Sequence, residues 1–155
     1  MAFYYKNMKR VVEYRKLLEV DKNVTLKELK TIYRNAMKEV HPDKFANDEA
    51  GRILAEEKSK DIINAYHFLV SIANETRDKN LPEYQEMIVN SPIVDFYLEK
   101  QVLFVTYHNG MTYEYIGVPK NVYIKMINAD SPNRFAKRHI YGEYIYRKSG
   151  EVVVD

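Results

Sequence analysis

An imidazole and a carboxylate stand two residues apart at His41-Pro42-Asp43, in the stretch YRNAMKEVHPDKF. The spacing imitates a general acid–base pair, but no nucleophile is placed beside it, and a rigid Pro42 at a loop tip suits docking better than turnover. A carboxylate held there makes a strong, directional contact to a partner guanidinium. Four basic residues precede it at helical intervals, Lys27, Lys30, Arg34 and Lys38, and Lys44 follows it. Further along, Tyr113 and Tyr115 alternate, so they share one face of a strand, where rings either stack on bases or pack as core. Arg134, Lys137 and Arg138, with His139, Arg147 and Lys148, are of the right type for phosphate contacts. His41, His67, His108 and His139 lack paired metal-ligand spacing. Gly51, Gly110, Gly117, Gly142 and Gly150 form neither a phosphate-binding loop nor a dinucleotide fingerprint. No catalytic residue, metal or cofactor is therefore expected, and the chain does not read as an enzyme.

Helices must position the first group. Thr25 is an N-cap with Glu28 three residues on, the pattern of a capping box. At about 100° per residue, Leu26, Leu29, Tyr33, Ala36, Met37 and Val40 share one arc and form the buried face. Lys27, Lys30, Arg34 and Lys38 share a neighbouring arc, while Glu28 and Glu39 lie on the far side. Glutamates interleaved for i,i+4 pairing would make a cheaper solvated surface, so segregation of the signs suggests an acidic partner. Pro42 disfavours helix at His41, ends this element at Val40 and leaves a turn in which Asp43 accepts a backbone N–H. A second helix resumes near Asn47 or Asp48, with Ile62, Ala65, Tyr66, Leu69 and Ile72 on its apolar face. Tyr66 and Leu69 then pack on Leu29, Tyr33 and Met37, an antiparallel helical pair with His41-Pro42-Asp43 at its tip.

The texture changes near Ile93. The runs VDFYLEKQVLFVTY and MTYEYIGV, separated by His-Asn-Gly, predict antiparallel strands with a hairpin. A helix follows Pro119 through Ala129, another starts at Ser131 as N-cap with Pro132 first, and EYIYRKSGEVVV closes as a strand or tail. The fold class is thus α+β, an all-α helical hairpin followed by a small α+β module. The expected division is residues 1–74, a linker of 75–92 with a short helix from Pro82 to Val89, and residues 93–155.

Composition bounds the rest. There are 155 residues, no cysteine and a formal net charge of +2. Disulfides and thiolate zinc sites are excluded, and a reducing cytoplasmic location is expected. Neither a signal peptide nor an 18-residue apolar run is evident, so no membrane partner is expected. Up to Asn80 there are 16 Lys and Arg against 13 Asp and Glu, and beyond it 8 against 9, so any basic function comes from local patterning.

From Tyr14 to about Ile72 the chain resembles the J-domain of DnaJ-type co-chaperones. YRKLLEV is similar to that domain's first helix, TLKELKTIYRNAMKEVHPDK to its second helix with the signature loop, and KDIINAYHFLVS to its third. The resemblance implies that this half binds a heat-shock-type chaperone ATPase and stimulates its ATP hydrolysis. Asp43 would engage a chaperone arginine, His41 and Pro42 would hold the loop, and Lys30, Arg34, Lys38 and Lys44 would meet an acidic chaperone surface. Glu19 stands where glycine is usual, Asn35 where many members carry a basic residue, and Glu39 sets a negative charge near the loop. The basic, aromatic fourth helix, the glycine-phenylalanine linker and the zinc-finger client region have no counterpart.

From Val105 to Ile140 the chain resembles the KTSC domain. The resemblance rests on Tyr113-x-Tyr115, Gly117-Val118-Pro119, the VYIKMINADS helix and the short basic helix ending at Ile140. It implies a small α+β module and, through the family's association with lysyl-tRNA synthetases, RNA as a partner. Read from the residues, Tyr113, Tyr115, Arg134, Lys137 and Arg138 leave three alternatives, core packing, nucleic-acid contact or a protein-binding surface. Two functions follow. One is a co-chaperone whose C-terminal module selects a client; the other is an RNA-associated binding module on a vestigial J-like scaffold.

Overall fold

The computed structural model describes residues 9–149, and the end of the sequence read as a strand or tail lies outside them beyond Ser149. Its contacts divide the chain into two compact units, one from Arg10 to Thr76 and the other from Arg77 onward.

The first unit is helical. Helix α1 is Lys9–Leu18, α2 Leu26–Val40 and α3 Glu49–Ile72. Helix α1 ends in a left-handed residue, Glu19 at φ 56°. Its exit carries the paired Schellman hydrogen bonds, Val20 N–H to Arg15 O at 2.9 Å and Glu19 N–H to Lys16 O at 3.2 Å. Thr25 caps α2 by accepting the Glu28 N–H at 3.1 Å. The adjacent Leu26 N–H donates to the Glu75 carboxylate at 2.9 Å, so two of the helix's orphan donors are satisfied by oxygen acceptors.

Helices α2 and α3 pack through the rows the sequence predicts. Leu29, Ile62, Ala65, Tyr66, Leu69 and Ile72 are buried, and Tyr33 stacks on Tyr66 with ring centroids 4.1 Å apart. Helix α1 joins them through Tyr14, whose ring lies 5.2 Å from Phe68, and through Arg10, whose guanidinium covers the same Phe68 ring at 4.4 Å. Ala73 takes an extended conformation and stops α3, and the Thr76 hydroxyl donates to the Val70 carbonyl at 2.7 Å.

Residues expected to form a linker are instead one helix, α4, Asn74–Asn90. Pro82 lies inside it, removing one N–H from the ladder without ending the helix. The contact boundary at Thr76/Arg77 falls within this helix.

The second unit is a four-stranded antiparallel meander in the order β1-β2-β3-β4, with β1 Ile93–Glu99, β2 Val102–Tyr107, β3 Thr112–Ile116 and β4 Ile145–Lys148. Helices α5, Lys120–Ile127, and α6, Pro132–His139, connect β3 to β4. The run before His-Asn-Gly forms two of the strands. Lys100 and Gln101 both take positive φ, 49° and 64°, and close a tight turn between Glu99 and Val102, which pair in register. The Gln101 carbonyl is held there by two amides, Gly117 and Val118, each at 2.9 Å. The hairpin at His-Asn-Gly forms as expected, with Gly110 at φ 88° and the Asn109 side chain accepting the Met111 N–H at 3.0 Å.

One face of the sheet supplies Leu103, Val105, Tyr107, Tyr113, Tyr115 and Tyr146 to a core completed by Tyr84 and Met87 of α4, Met126 of α5 and Ala136 of α6. On the opposite face Glu114 pairs in register with Arg147, whose Nη1 lies 3.0 and 3.2 Å from the two carboxylate oxygens. Ser131 caps α6 by accepting the Arg134 N–H at 3.2 Å, as its sequence predicts.

Candidate functional site

The loop after α2 is built by its proline. His41 has φ −63° and ψ 130°, the extended conformation imposed on a residue before proline, and Pro42–Phe45 then form a single 3₁₀ turn closed by Lys44 N–H to His41 O at 3.0 Å. The turn differs from expectation in its acceptor. The His41 Nδ1, not the Asp43 carboxylate, accepts the local backbone N–H, that of Asp43, at 3.3 Å. Asp43 Oδ2 lies 3.5 Å from that nitrogen, and the Asp43 side chain is 92% exposed. His41 caps the turn, which leaves the carboxylate facing solvent.

Two contacts hold this loop to α3. The Ser59 hydroxyl lies 3.2 Å from the Val40 carbonyl and 2.7 Å from the Ala55 carbonyl, binding the last residue of α2 to the neighbouring helix. Asp48 begins α3, accepting the Gly51 N–H at 3.0 Å, while its own N–H donates to the Phe45 carbonyl at 3.0 Å. A Cβ at Gly51 would run into the Asp48 carboxylate and lie 3.0 Å from the Phe45 ring, so a larger residue would displace the Asp48 cap.

Lys27, Arg34 and Lys38 are exposed on α2, Lys30 is half-buried, and Lys44 is exposed in the turn. Arg147 pairs with Glu114 and Lys148 with Glu83, and among the described residues no ion pair uses a member of this stripe. Uncompensated positive charge therefore runs along α2 up to an exposed carboxylate.

The second candidate set separates. Tyr113 and Tyr115, placed in the sequence reading as possible base- or partner-contacting residues, are 1% and 0% exposed and offer no ring face to a ligand. The reason is the meander. Strand β3 lies between β2 and β4, and its tyrosine face is the one covered by helices. The Tyr115 hydroxyl belongs to a chain that runs from Tyr84 to Tyr115 at 3.0 Å, Tyr115 to Tyr107 at 2.7 Å and Tyr107 to Tyr141 at 2.9 Å. Burial is the main cause that pushes the phenols of Tyr84, Tyr107, Tyr115 and Tyr141 upward from the ordinary tyrosine value. Arg134, Lys137 and Arg138 do come together, exposed along α6. Among the described residues no group of three or more His, Cys, Asp or Glu is arranged to hold a metal, and no helix is long and apolar enough to cross a membrane.

A helix pair joined by an exposed His-Pro-Asp turn beside a basic helix face defines a J-domain architecture. Comparison with known families agrees: the DnaJ domain matches residues 13–78 and the KTSC domain matches residues 92–144. The chain therefore carries a DnaJ domain followed by a KTSC domain. Over 58 residues it is 47% identical to a chaperone protein DnaJ of Fusobacterium nucleatum subsp. polymorphum, covering 37% of this chain and 15% of that protein. A chaperone protein DnaJ 2 of Synechocystis is 38% identical over 74 residues, 48% of this chain and 22% of that protein. A chaperone protein DnaJ of Hydrogenobacter thermophilus is 41% identical over 59 residues, 38% of this chain and 15% of that protein. The chain thus spans less than a quarter of the length of these relatives.

Proposed function

We propose that this protein is a co-chaperone that docks through His41, Pro42 and Asp43 on a heat-shock-type chaperone ATPase and stimulates its ATP hydrolysis. The observation that carries the reading is the Asp43 carboxylate, 92% exposed at the tip of a turn that His41 caps. A carboxylate so presented is free to form a charge-assisted pair with a partner guanidinium. Lys30, Arg34, Lys38 and Lys44 approach an acidic surface beside it, speeding encounter more than they add affinity. The matched relatives are chaperone proteins DnaJ, which supports the same partner class.

The KTSC domain has the role of selecting what the chaperone acts upon. Burial of Tyr113 and Tyr115 removes the stacking surface on which an RNA reading would rest. Steady-state ATP hydrolysis by a heat-shock-type chaperone from the same cell tests the proposal. Added protein raises the turnover; an unchanged turnover across a range of protein concentrations contradicts it.

A further inference from the structure

Helix α6 holds four basic residues among eight, and local physics explains three of them. Lys137, Arg138 and His139 occupy the last turn, where the helix dipole favours cations. Arg134 does not fit that account. It is the third helical residue, where the dipole opposes a cation, and it sits one turn before Arg138, a like-charge i,i+4 pair that weakens the helix. Neither guanidinium takes part in an ion pair among the described residues, and both are exposed.

A groove of about 160 Å³ lies against these side chains, lined by Arg134, Arg138, His139, Ser131 and Phe135 with a single acid, Asp130. The Ser131 hydroxyl already accepts the Arg134 N–H, so two guanidinium groups and an imidazole remain to meet a ligand. Such a set takes an anion. The volume is below the roughly 300–1,000 Å³ of small-molecule sites, so the groove suits individual groups of a larger partner.

Two observations decide which anion. A nucleic-acid strand lying along α6 would not stack on Tyr113 or Tyr115, which are buried, and the adjacent Phe135 ring is engaged by His139 at 4.7 Å. An eight-residue helix is about 12 Å long and meets only two or three phosphates, a small counterion-release gain. Along α6, Arg134 and Arg138 are about 6 Å apart. Same-side residues of an extended peptide are separated by about 6.6 Å. The geometry points to α6 as the docking site for an acidic-any-acidic segment of a partner protein, each carboxylate taken by one arginine fork. This rests on the role proposed for the KTSC domain and names the chemistry it selects.

Fluorescence anisotropy of the full chain with a labelled peptide of alternating Glu and Ser is the test, with the Gln-for-Glu peptide and an oligouridylate of equal length alongside. The Glu peptide binds the wild type, and Arg134→Ala with Arg138→Ala weakens it by about tenfold or more through loss of two charge-assisted pairs. Lys120→Ala with Lys125→Ala, which removes two exposed charges elsewhere in the unit, changes it by less than about twofold. The inference is overturned if the wild type ignores the Glu peptide or binds the Gln peptide equally. It is also overturned if the lysine pair matters as much as the arginine pair, or if oligouridylate binds more tightly through the same arginines. Chaperone stimulation on the same preparations reports separately on the co-chaperone reading. The arginine variant keeps wild-type stimulation, and its loss would move the groove's partner to the chaperone itself.

Discussion

The turn at Asp43 is capped from the preceding side, because the His41 imidazole nitrogen accepts the Asp43 N–H and the carboxylate itself is left 92% exposed. Sequence alone gave the tripeptide's position and its turn, but not which side chain would cap it; that depends on the His41 rotamer in the folded loop. Glu19 is the opposite case, legible as a departure and now given a cost. It sits at φ 56° in a Schellman exit where glycine has no Cβ to strain. Glu19→Gly is therefore expected to stabilise the helical unit by about 1 kcal/mol, read as a higher midpoint in urea at unchanged slope. An unchanged or lower midpoint would show that the Glu19 side chain repays its backbone. Within the tyrosine chain, Tyr115 shares its hydroxyl with both Tyr84 and Tyr107, whereas Tyr141 closes the half-exposed end. Tyr115→Phe leaves buried hydroxyls short of a partner and should cost about 1–3 kcal/mol, and Tyr141→Phe distinctly less. Equal losses in chemical denaturation would mean the hydroxyls do not act as a connected chain.

The α2 helix is where the sequence was most legible at the next scale. Its cap at Thr25 and its stop before Pro42 follow from short-range rules and the structure places them accordingly, while of its expected buried row Leu29 is fully buried and Leu26, Tyr33, Ala36, Met37 and Val40 are half-buried. The same locality explains α6, from Ser131 to His139. Two elements obeyed longer-range causes. Helix α4 continues through Pro82, with Tyr84 and Met87 packed into the sheet core beyond it. The Lys100-Gln101 turn lacks glycine or asparagine, and its carbonyl is fixed by amides sixteen and seventeen residues onward in sequence, at Gly117 and Val118. Neither signal exists within a local window. For α2 the proposed role is electrostatic, so Arg34→Glu with Lys38→Glu should slow association with the chaperone. The wild-type rate should fall as salt rises, while the variant's changes little. Stopped-flow association across a salt series measures both; a salt-insensitive wild-type rate would make the stripe an idle solvated face.

Over the whole chain, the two units differ in kind of core, aliphatic with the Tyr33–Tyr66 stack in one and a linked tyrosine cluster in the other. That difference predicts a pH signature. Tyr84, Tyr107, Tyr115 and Tyr141 have their phenols raised by burial, so each contributes stability that is complete below the unfolded value near 10 and is lost as pH rises above it. The KTSC-containing unit should unfold cooperatively in alkali, with the last part of the tyrosinate absorbance, that of these four, appearing in one step together with loss of the near-ultraviolet dichroism. Gradual ionisation with the fold intact would contradict the buried cluster.

What joins these scales is one exposed carboxylate on a rigid turn, and Asp43→Asn isolates it. Steady-state ATP hydrolysis by the chaperone should rise with wild-type protein and stay at its basal rate with Asp43→Asn. The two proteins should melt at the same temperature, because the Asp43 side chain is 92% exposed. Full stimulation by a folded Asp43→Asn protein would contradict docking through this loop.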